Sequence, residues 1–237
     1  MSDILSDGSS VYAVTLTDEV VCLDIVTGRE NWKHPTGVTN DDFLVTSNPA
    51  LSSGRVFFGG MDGAVAALDA KSGRVMWKRD LGARVSTSVE ILNDSVYVGT
   101  IVGRLYWLAS STGAILSQYS LDAPPQGRLV VTEDSVLVPL GLQSVLCLDA
   151  NLEKLRWTKK AAKEWTTARP YLWRDAVLLA DHGTLFAFKL SDGSDVWAHD
   201  FANTVRGIGS EGNTLYVGTL KGTLYAYAPS APLTNSR

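Results

Sequence analysis

Two cysteines, Cys22 and Cys147, are all that this chain of 237 residues contains. They are far apart, so there is no vicinal Cys-Cys pair, and no Cys/His spacing resembles a zinc site. Histidine is equally scarce: His34, His182 and His199. No Gly-x-Ser-x-Gly elbow presents a nucleophile, and no glycine-rich loop cradles a phosphate. No apolar run reaches the roughly 18 residues of a transmembrane helix. The start, Met-Ser-Asp-Ile-Leu, lacks the basic residues and long apolar stretch of a signal peptide. Charge of either sign is modest, with a formal net of −4. That balance points to neither nucleic acid nor an anionic membrane. Together these absences argue against zinc chemistry, nucleophilic hydrolysis and nucleotide binding.

What the sequence has is repetition. The stretch Asp62 to Trp77 reads as turn, strand, turn, strand: Asp62-Gly63, an apolar run Val65 to Leu68, Lys71-Ser72-Gly73, then Val75 and Trp77 on the next strand. The closing tryptophan recurs as Trp32, Trp77, Trp157 and Trp197, spaced 45, 80 and 40 residues apart. The gap of 80 holds a degenerate copy with Ser117 in the tryptophan column. The turn glycine keeps step as Gly28, Gly73, Gly113 and Gly193, with Glu153 once in its place. Four residues before it stand Asp24, Asp69 and Asp149, or Ala109 and Lys189 in the weaker copies. The glycine suits a left-handed turn that a Cβ would strain. The aspartate can accept hydrogen bonds from the turn's backbone donors. The tryptophan is large enough to bridge to a neighbouring sheet.

Further strands precede each unit, as in Val56-Phe-Phe-Gly59, Val96-Tyr-Val-Gly99 and Leu215-Tyr-Val-Gly218. Before those come segments such as Thr46 to Leu51, Ser86 to Ile91 and Thr167 to Leu172. Four short strands in about 40 residues is the spacing of a β-propeller blade. The pattern Ala-x-Asp-x-x-x-Gly-x-x-x-Trp, seen from Ala67 to Trp77 and nearly so from Cys22 to Trp32 and Ala187 to Trp197, resembles the tryptophan-docking motif of PQQ-like (quinoprotein-type) propeller repeats. Families sharing these repeats include quinoprotein alcohol dehydrogenases, the outer-membrane barrel-assembly lipoprotein and sensor domains of bacterial membrane kinases. The chain is more similar to the barrel-assembly lipoprotein propeller than to the enzymes, which set a vicinal disulfide, a tryptophan platform and a calcium against the quinone.

The expected fold is therefore all-β: one propeller domain over residues 1–228, of about six four-stranded blades, the last three-stranded. The blades are placed at 2–33, 43–80, 84–121, 126–160, 165–201 and 205–228, and a flexible tail at 229–237. Residues 2–6 align with Ser47 to Ser52 as a clipped inner strand, and a five-residue insertion lies between Lys33 and Phe43. No spare N-terminal strand is found to close the ring. A short last blade and a piece of a longer chain both fit. Cys22 and Cys147 read as small core residues of blades one and four, too far apart to pair. They leave the compartment open.

Candidate site residues lie on the face formed by the loops between second and third strands and by the blade-to-blade connections. They are Asp41, Asp42, Asp62, Arg84, Gln126, Trp165, His182, Arg206 and Lys221. Trp165 lies outside the docking column, where an exposed anchor and a partly buried ring are both open readings. Arg128 and Arg169 share a column beside the inner strands. Together with Arg84 and Arg206 they would suit a carboxylate or phosphate ligand, and pairing with acidic residues of neighbouring blades is the plainer reading. Trp107, in a column otherwise Ala or Cys, would fill the space that Ser117 leaves. These observations imply a non-catalytic, monomeric scaffold or sensor that binds a protein partner through its loop face, without nucleic acid or membrane insertion. No cofactor is predicted. The alternatives are a redox protein binding PQQ with calcium, and the ligand-sensing ectodomain of a larger receptor or kinase. The family resemblance implies a periplasmic or other extracytoplasmic setting.

Overall fold

Runs such as Ser95-Val-Tyr-Val98 are too short for helices, rich in β-branched and aromatic residues, and closed by turn residues. The computed structural model, which describes residues 4–15, 19–37, 48–141, 143–161, 164–165 and 169–228, folds such runs into antiparallel sheets. The described residues form six sheets and no helix. Blade one consists of Leu5–Ser6, Ser10–Val14, Glu19–Asp24 and Glu30–Pro35. Blade two runs from Ala50–Ser52 to Val75–Asp80, blade three from Glu90–Leu92 to Ile115–Ser120, blade four from Val130–Val131 to Leu155–Lys160, and blade five from Tyr171–Trp173 to Asp195–Asp200. Blade six has three strands, Val205–Glu211, Thr214–Thr219 and Leu224–Tyr227. Within each sheet, neighbours in space are neighbours in sequence. Leu5 and Ser6 pair with Tyr12 and Val11, which makes them the inner strand of blade one. The proposed tail, 229–237, lies outside the described residues.

The core lies between the sheets. Each of five apolar clusters is shared by two consecutive blades. Tyr12, Val20 and Cys22 of blade one meet Val56, Phe58 and Leu68 of blade two, and the pattern continues between blades two and three, three and four, four and five, and five and six. Among the described residues no such cluster joins blade six to blade one.

The docking tryptophan sets the spacing at three of these joints. Trp32, Trp77 and Trp157 each lie on the turn glycine of the next blade. A Cβ built on Gly73, Gly113 or Gly193 would stand 2.6, 2.5 or 2.8 Å from the nearest ring atom. All three glycines have a left-handed backbone, with φ of 68°, 67° and 70°. The indole N–H then donates to a carbonyl in the same turn: Trp32 to Ala70 (3.0 Å), Trp77 to Ser110 (2.8 Å) and Trp157 to Leu190 (2.8 Å). Those acceptors occupy one repeat column. The corresponding position for Trp197 is residue 229, outside the described residues, and the buried Trp197 N–H has no hydrogen-bond partner among the described residues.

The joint between blades three and four is built differently. Trp107 and Ser117 face each other across the third and outer strands, where the other blades pair Cys22, Ala67, Cys147 or Ala187 with the docking tryptophan. Large and small have changed places across the pair. The missing indole bond is replaced by the Tyr97 hydroxyl, which donates to the Ala150 carbonyl at 3.1 Å. The Tyr97 and Trp107 rings lie parallel, 6.2 Å apart. With no indole to receive, the turn of blade four has no need of glycine. It carries Glu153, and Leu152 takes the left-handed backbone (φ 58°).

Truncating Trp77 to Ala should cost about 3–5 kcal/mol of stability. A pair of glycine substitutions isolates the docking contact. Gly28 has the same backbone as Gly113 (φ 69° and 67°), yet a Cβ there would meet nothing within 4 Å. Gly28→Ala should cost only the left-handed strain, roughly 1–2 kcal/mol, and Gly113→Ala clearly more. Equal shifts of the urea midpoint for the two variants would show that the indole contact is not what the glycine serves.

Candidate functional site

Repeated backbone bonds make two stiff faces. On the first, the residue after each outer strand returns to the loop between strands two and three: Leu81 N–H to Gly63, Leu121 to Gly103, Ala161 to Gln143 and Phe201 to Gly183 (2.7–2.9 Å). On the opposite face, the turn before each outer strand is tied to the hairpin after the inner strand: Ile25 N–H to Ser9, Ala70 to Gly54, Ser110 to Asp94, Ala150 to Asp134 and Leu190 to Asp175 (2.9–3.1 Å). Loops held this way can vary in side chain without moving the scaffold.

The first face holds most of the candidates, in different states. Asp62 sits in the loop of blade two. One carboxylate oxygen accepts the Ala64 N–H at 3.0 Å and the other pairs with Lys78 at 2.7 Å. Gly37 and Gly60 close over it, since a Cβ on either would clash with the carboxylate. Arg84 is half-buried, and its carbonyl receives the Ile101 N–H. Gln126 is exposed, its N–H bonded to Pro139. His182 is exposed at a left-handed position (φ 53°), with Nδ1 2.7 Å from the Asp181 carboxylate. Arg206 is exposed at a register shift between Val205 and Gly207, and Lys221 is exposed in the loop of blade six. Asp41 and Asp42 lie outside the described residues.

Trp165 requires a correction. It is buried, at 4% exposure. Its ring packs edge-on to Phe186 and Phe188, 5.9 and 6.3 Å between centroids, in the core between blades four and five. Burial against a paired aromatic shelf gains more than display to water, so Trp165 is an interior wedge and leaves the candidate face. The two arginines of the shared column are also not free. Arg128 pairs with Glu90 at 2.5 Å across the joint of blades three and four, and Ser88 donates to the same carboxylate. Arg169 too has an interaction partner.

Other features of the face carry little sequence signal. Ile101 (39%), Val102 (60%) and Leu220 (63%) stand exposed on the loops of blades three and six. They read in sequence as strand ends, because only the loop conformation turns them outward. The inner wall of blade three is polar and buried: Thr87 accepts the Gly99 N–H and Ser86 donates to the Pro125 carbonyl. On the opposite face, beside the Asp175 hairpin, Trp173 is a further buried indole, with Arg174 stacked over it at 4.8 Å.

Among the described residues no three His, Cys, Asp or Glu side chains come together to hold a metal ion. Cys22 and Cys147 are free and buried, and burial raises the Cys147 thiol pKa, away from thiolate reactivity. The titrating groups with the clearest cause are the turn aspartates of the opposite face. Asp69 is held below the usual carboxylate range by the Ser72 hydroxyl and then the Ser72 N–H (2.7 and 2.8 Å), and Asp24 likewise by Thr27. A carboxylate whose folded pKa is depressed stabilises the fold above its unfolded value and loses that contribution as pH falls through the folded one. Asp69→Ala should therefore lower the thermal midpoint at pH 7. The gap from the wild type should narrow as pH falls below the usual carboxylate range towards the depressed folded pKa. A gap independent of pH would show that the carboxylate's charge is not what the turn uses.

Comparison with known proteins places this geometry. The family model described as outer membrane protein assembly factor BamB matches residues 2–199. The BamB of Xanthomonas campestris pv. campestris is 33% identical over 123 residues, which cover 50% of this chain and 29% of that protein. That of Moranella endobia is 22% identical over 191 residues, 73% of this chain and 49% of that protein. The chain thus spans less than half the length of these curated relatives. Among solved structures, the computationally designed Ika8 protein superposes with a TM-score of 0.78 at 14% identity, over 96% of this chain and 70% of its own. BamB from Moraxella catarrhalis superposes with a TM-score of 0.66 at 17% identity, over 96% and 77%.

Proposed function

We propose, from the premise that this chain belongs to the family of outer membrane protein assembly factor BamB, that it is a non-catalytic propeller scaffold binding a protein partner through its loop face. The observation that carries this reading is the character of that face. Exposed Ile101, Val102 and Leu220 stand on rigid loops with exposed Arg206, Lys221 and His182 around the arc. Apolar anchors among exposed charges are the makings of a protein interface. The relatives are named for the assembly of outer membrane proteins, which supports a partner within that process and an extracytoplasmic setting.

Two measurements test the reading. Affinity capture from a detergent extract of the native cell envelope should retain a partner on the wild type. The double variant Val102→Glu, Leu220→Glu should retain at least tenfold less while keeping the wild-type thermal midpoint. Undiminished capture by the double variant would remove the loop face from the interface. Titration with pyrroloquinoline quinone, with and without calcium, should leave the tryptophan fluorescence unchanged. Saturable, stoichiometric binding at micromolar levels would replace the scaffold reading with the cofactor-binding one.

A further inference from the structure

Blade one meets blade two with one face of its sheet, through Tyr12, Val14, Val20 and Cys22. Its other face carries Val11, Ala13, Val21 and Leu23, paired across the two middle strands as Val11 with Leu23 and Ala13 with Val21. Their counterparts one repeat later are Val56, Phe58, Ala66 and Leu68, which lie against blade one at 4% exposure or less. On blade one all four are only partly buried. The middle strands differ in the same way. Ala64 to Leu68 of blade two is buried without interruption. Glu19–Asp24 of blade one alternates, with Val20 and Cys22 buried and Val21 and Leu23 half-covered. That alternation belongs to a sheet covered on one side only.

The turn of the same blade is built as a dock. Gly28 has the left-handed backbone of Gly73 and Gly113 (φ 69° against 68° and 67°). Its N–H donates to the Asp24 carbonyl at 2.9 Å, as Gly73 donates to Asp69 and Gly113 to Ala109 at 2.8 Å. At Gly73 and Gly113 an indole ring stands where a Cβ would be, and its N–H reaches the carbonyl three residues earlier, of Ala70 or Ser110. At Gly28 a Cβ would meet nothing within 4 Å. The equivalent carbonyl is that of Ile25, and among the described residues no donor reaches it. Ala70 and Ser110 are 4% and 5% exposed beneath their indoles, whereas Ile25 is 47% exposed and Val26 beside it 87%. In the column of Val26 the other blades carry Lys71, Ser111, Asn151 and Ser191, so the turn itself does not require an apolar side chain there.

This chain has no tryptophan to spare for that turn. All seven lie in the clusters between blades. A second copy has the same seven engaged, so an indole on Gly28 comes from a different polypeptide. The apolar wall beside the turn says how the ring is presented. Trp32 and Trp77 ride on the outermost strand of a sheet whose face lies against the wall of the next blade. Covering the wall and seating the ring are one event at those joints, and blade one offers the same wall beside the same turn.

We propose that the uncovered face of blade one binds a β-sheet of another polypeptide, which seats a tryptophan from its outermost strand on Gly28. The indole N–H donates to the Ile25 carbonyl, and an apolar sheet face covers Val11, Ala13, Val21 and Leu23. This site is separate from the loop face and does not rest on the reading of that face.

A synthetic hairpin of Ala64–Asp80 serves as the probe. Ala64 and Asp80 pair directly, so the peptide can be cyclised through its ends, and it presents Val65, Ala67 and Trp77 on one face. Added to isotope-labelled protein, it should move the Gly28 amide resonance upfield, saturably, by the ring current of the seated indole. Calorimetric titration should give binding weaker by roughly tenfold or more for the same peptide carrying Trp77→Ala. The protein variants Gly28→Ala, which puts a Cβ in the ring's place, and Val21→Lys, which puts a charge on the wall, should weaken binding of the original peptide as much while keeping the wild-type circular dichroism spectrum. The loop-face variant Val102→Glu, Leu220→Glu should bind the peptide as the wild type does, which separates the two surfaces. Absent saturable binding, equal binding of the tryptophan-free peptide, or undiminished binding by either Gly28→Ala or Val21→Lys would overturn the proposal. A concentration-dependent dimer in sedimentation velocity, abolished by Val21→Lys, would overturn it in favour of a second copy of this chain.

Discussion

An indole lying flat on a glycine, with its N–H bonded to a carbonyl in the same turn, sets the geometry of this molecule. A blade cannot bury both faces of its own sheet, so each depends on its neighbours. The apolar clusters between blades supply the burial without direction, since such contacts tolerate sliding. The indole bond adds direction. It fixes the distance between sheets through the ring's thickness, and their offset through one donor and one acceptor. The glycine is required twice over, by its left-handed backbone and by the ring that occupies the place of its Cβ.

The joint of blades three and four shows which part of this device is essential. It has neither the docking tryptophan nor the glycine, and both departures fall on the two sides of one joint. Volume is kept by Trp107 opposite Ser117, and the bond to the turn carbonyl is kept by the Tyr97 hydroxyl. The Tyr12 hydroxyl stands in the corresponding place in blade one, 3.2 Å from the Ala70 carbonyl, which the indole of Trp32 already satisfies, and 2.8 Å from the Asp7 carboxylate. The conserved quantities within the chain are thus a filled space and a satisfied carbonyl, and more than one side chain can provide them.

Because the joints hold the turns on one face and backbone bonds hold the loops on the other, side chains on both faces are free to differ between blades. The molecule uses that freedom unevenly. The loop face mixes apolar tips with single charges. The turn side carries exposed apolar residues where the outer strands of blades two to four begin.

The architecture was legible in the sequence because the fold repeats its own local chemistry. Gly73, Asp69 and Trp77 recur at a fixed period, and each is required by a turn or a joint that the period itself defines. The six sheets, the short last blade and the core placement of Cys22 and Cys147 follow from local rules of this kind. The surface does not. Trp165 reads equally as an anchor or a wedge until Phe186 and Phe188 are beside it. Arg128 reads as a ligand-binding group until Glu90 is found across the joint. Val75 and Trp77 alternate as though they shared a face until the register slip separates them. The sequence by itself determined which residues pair within a blade, because strand and turn preferences act over a few positions. Only the tertiary structure decided which side chains meet between blades and which are left to water, because those contacts join residues 30 to 60 positions apart that no local pattern links.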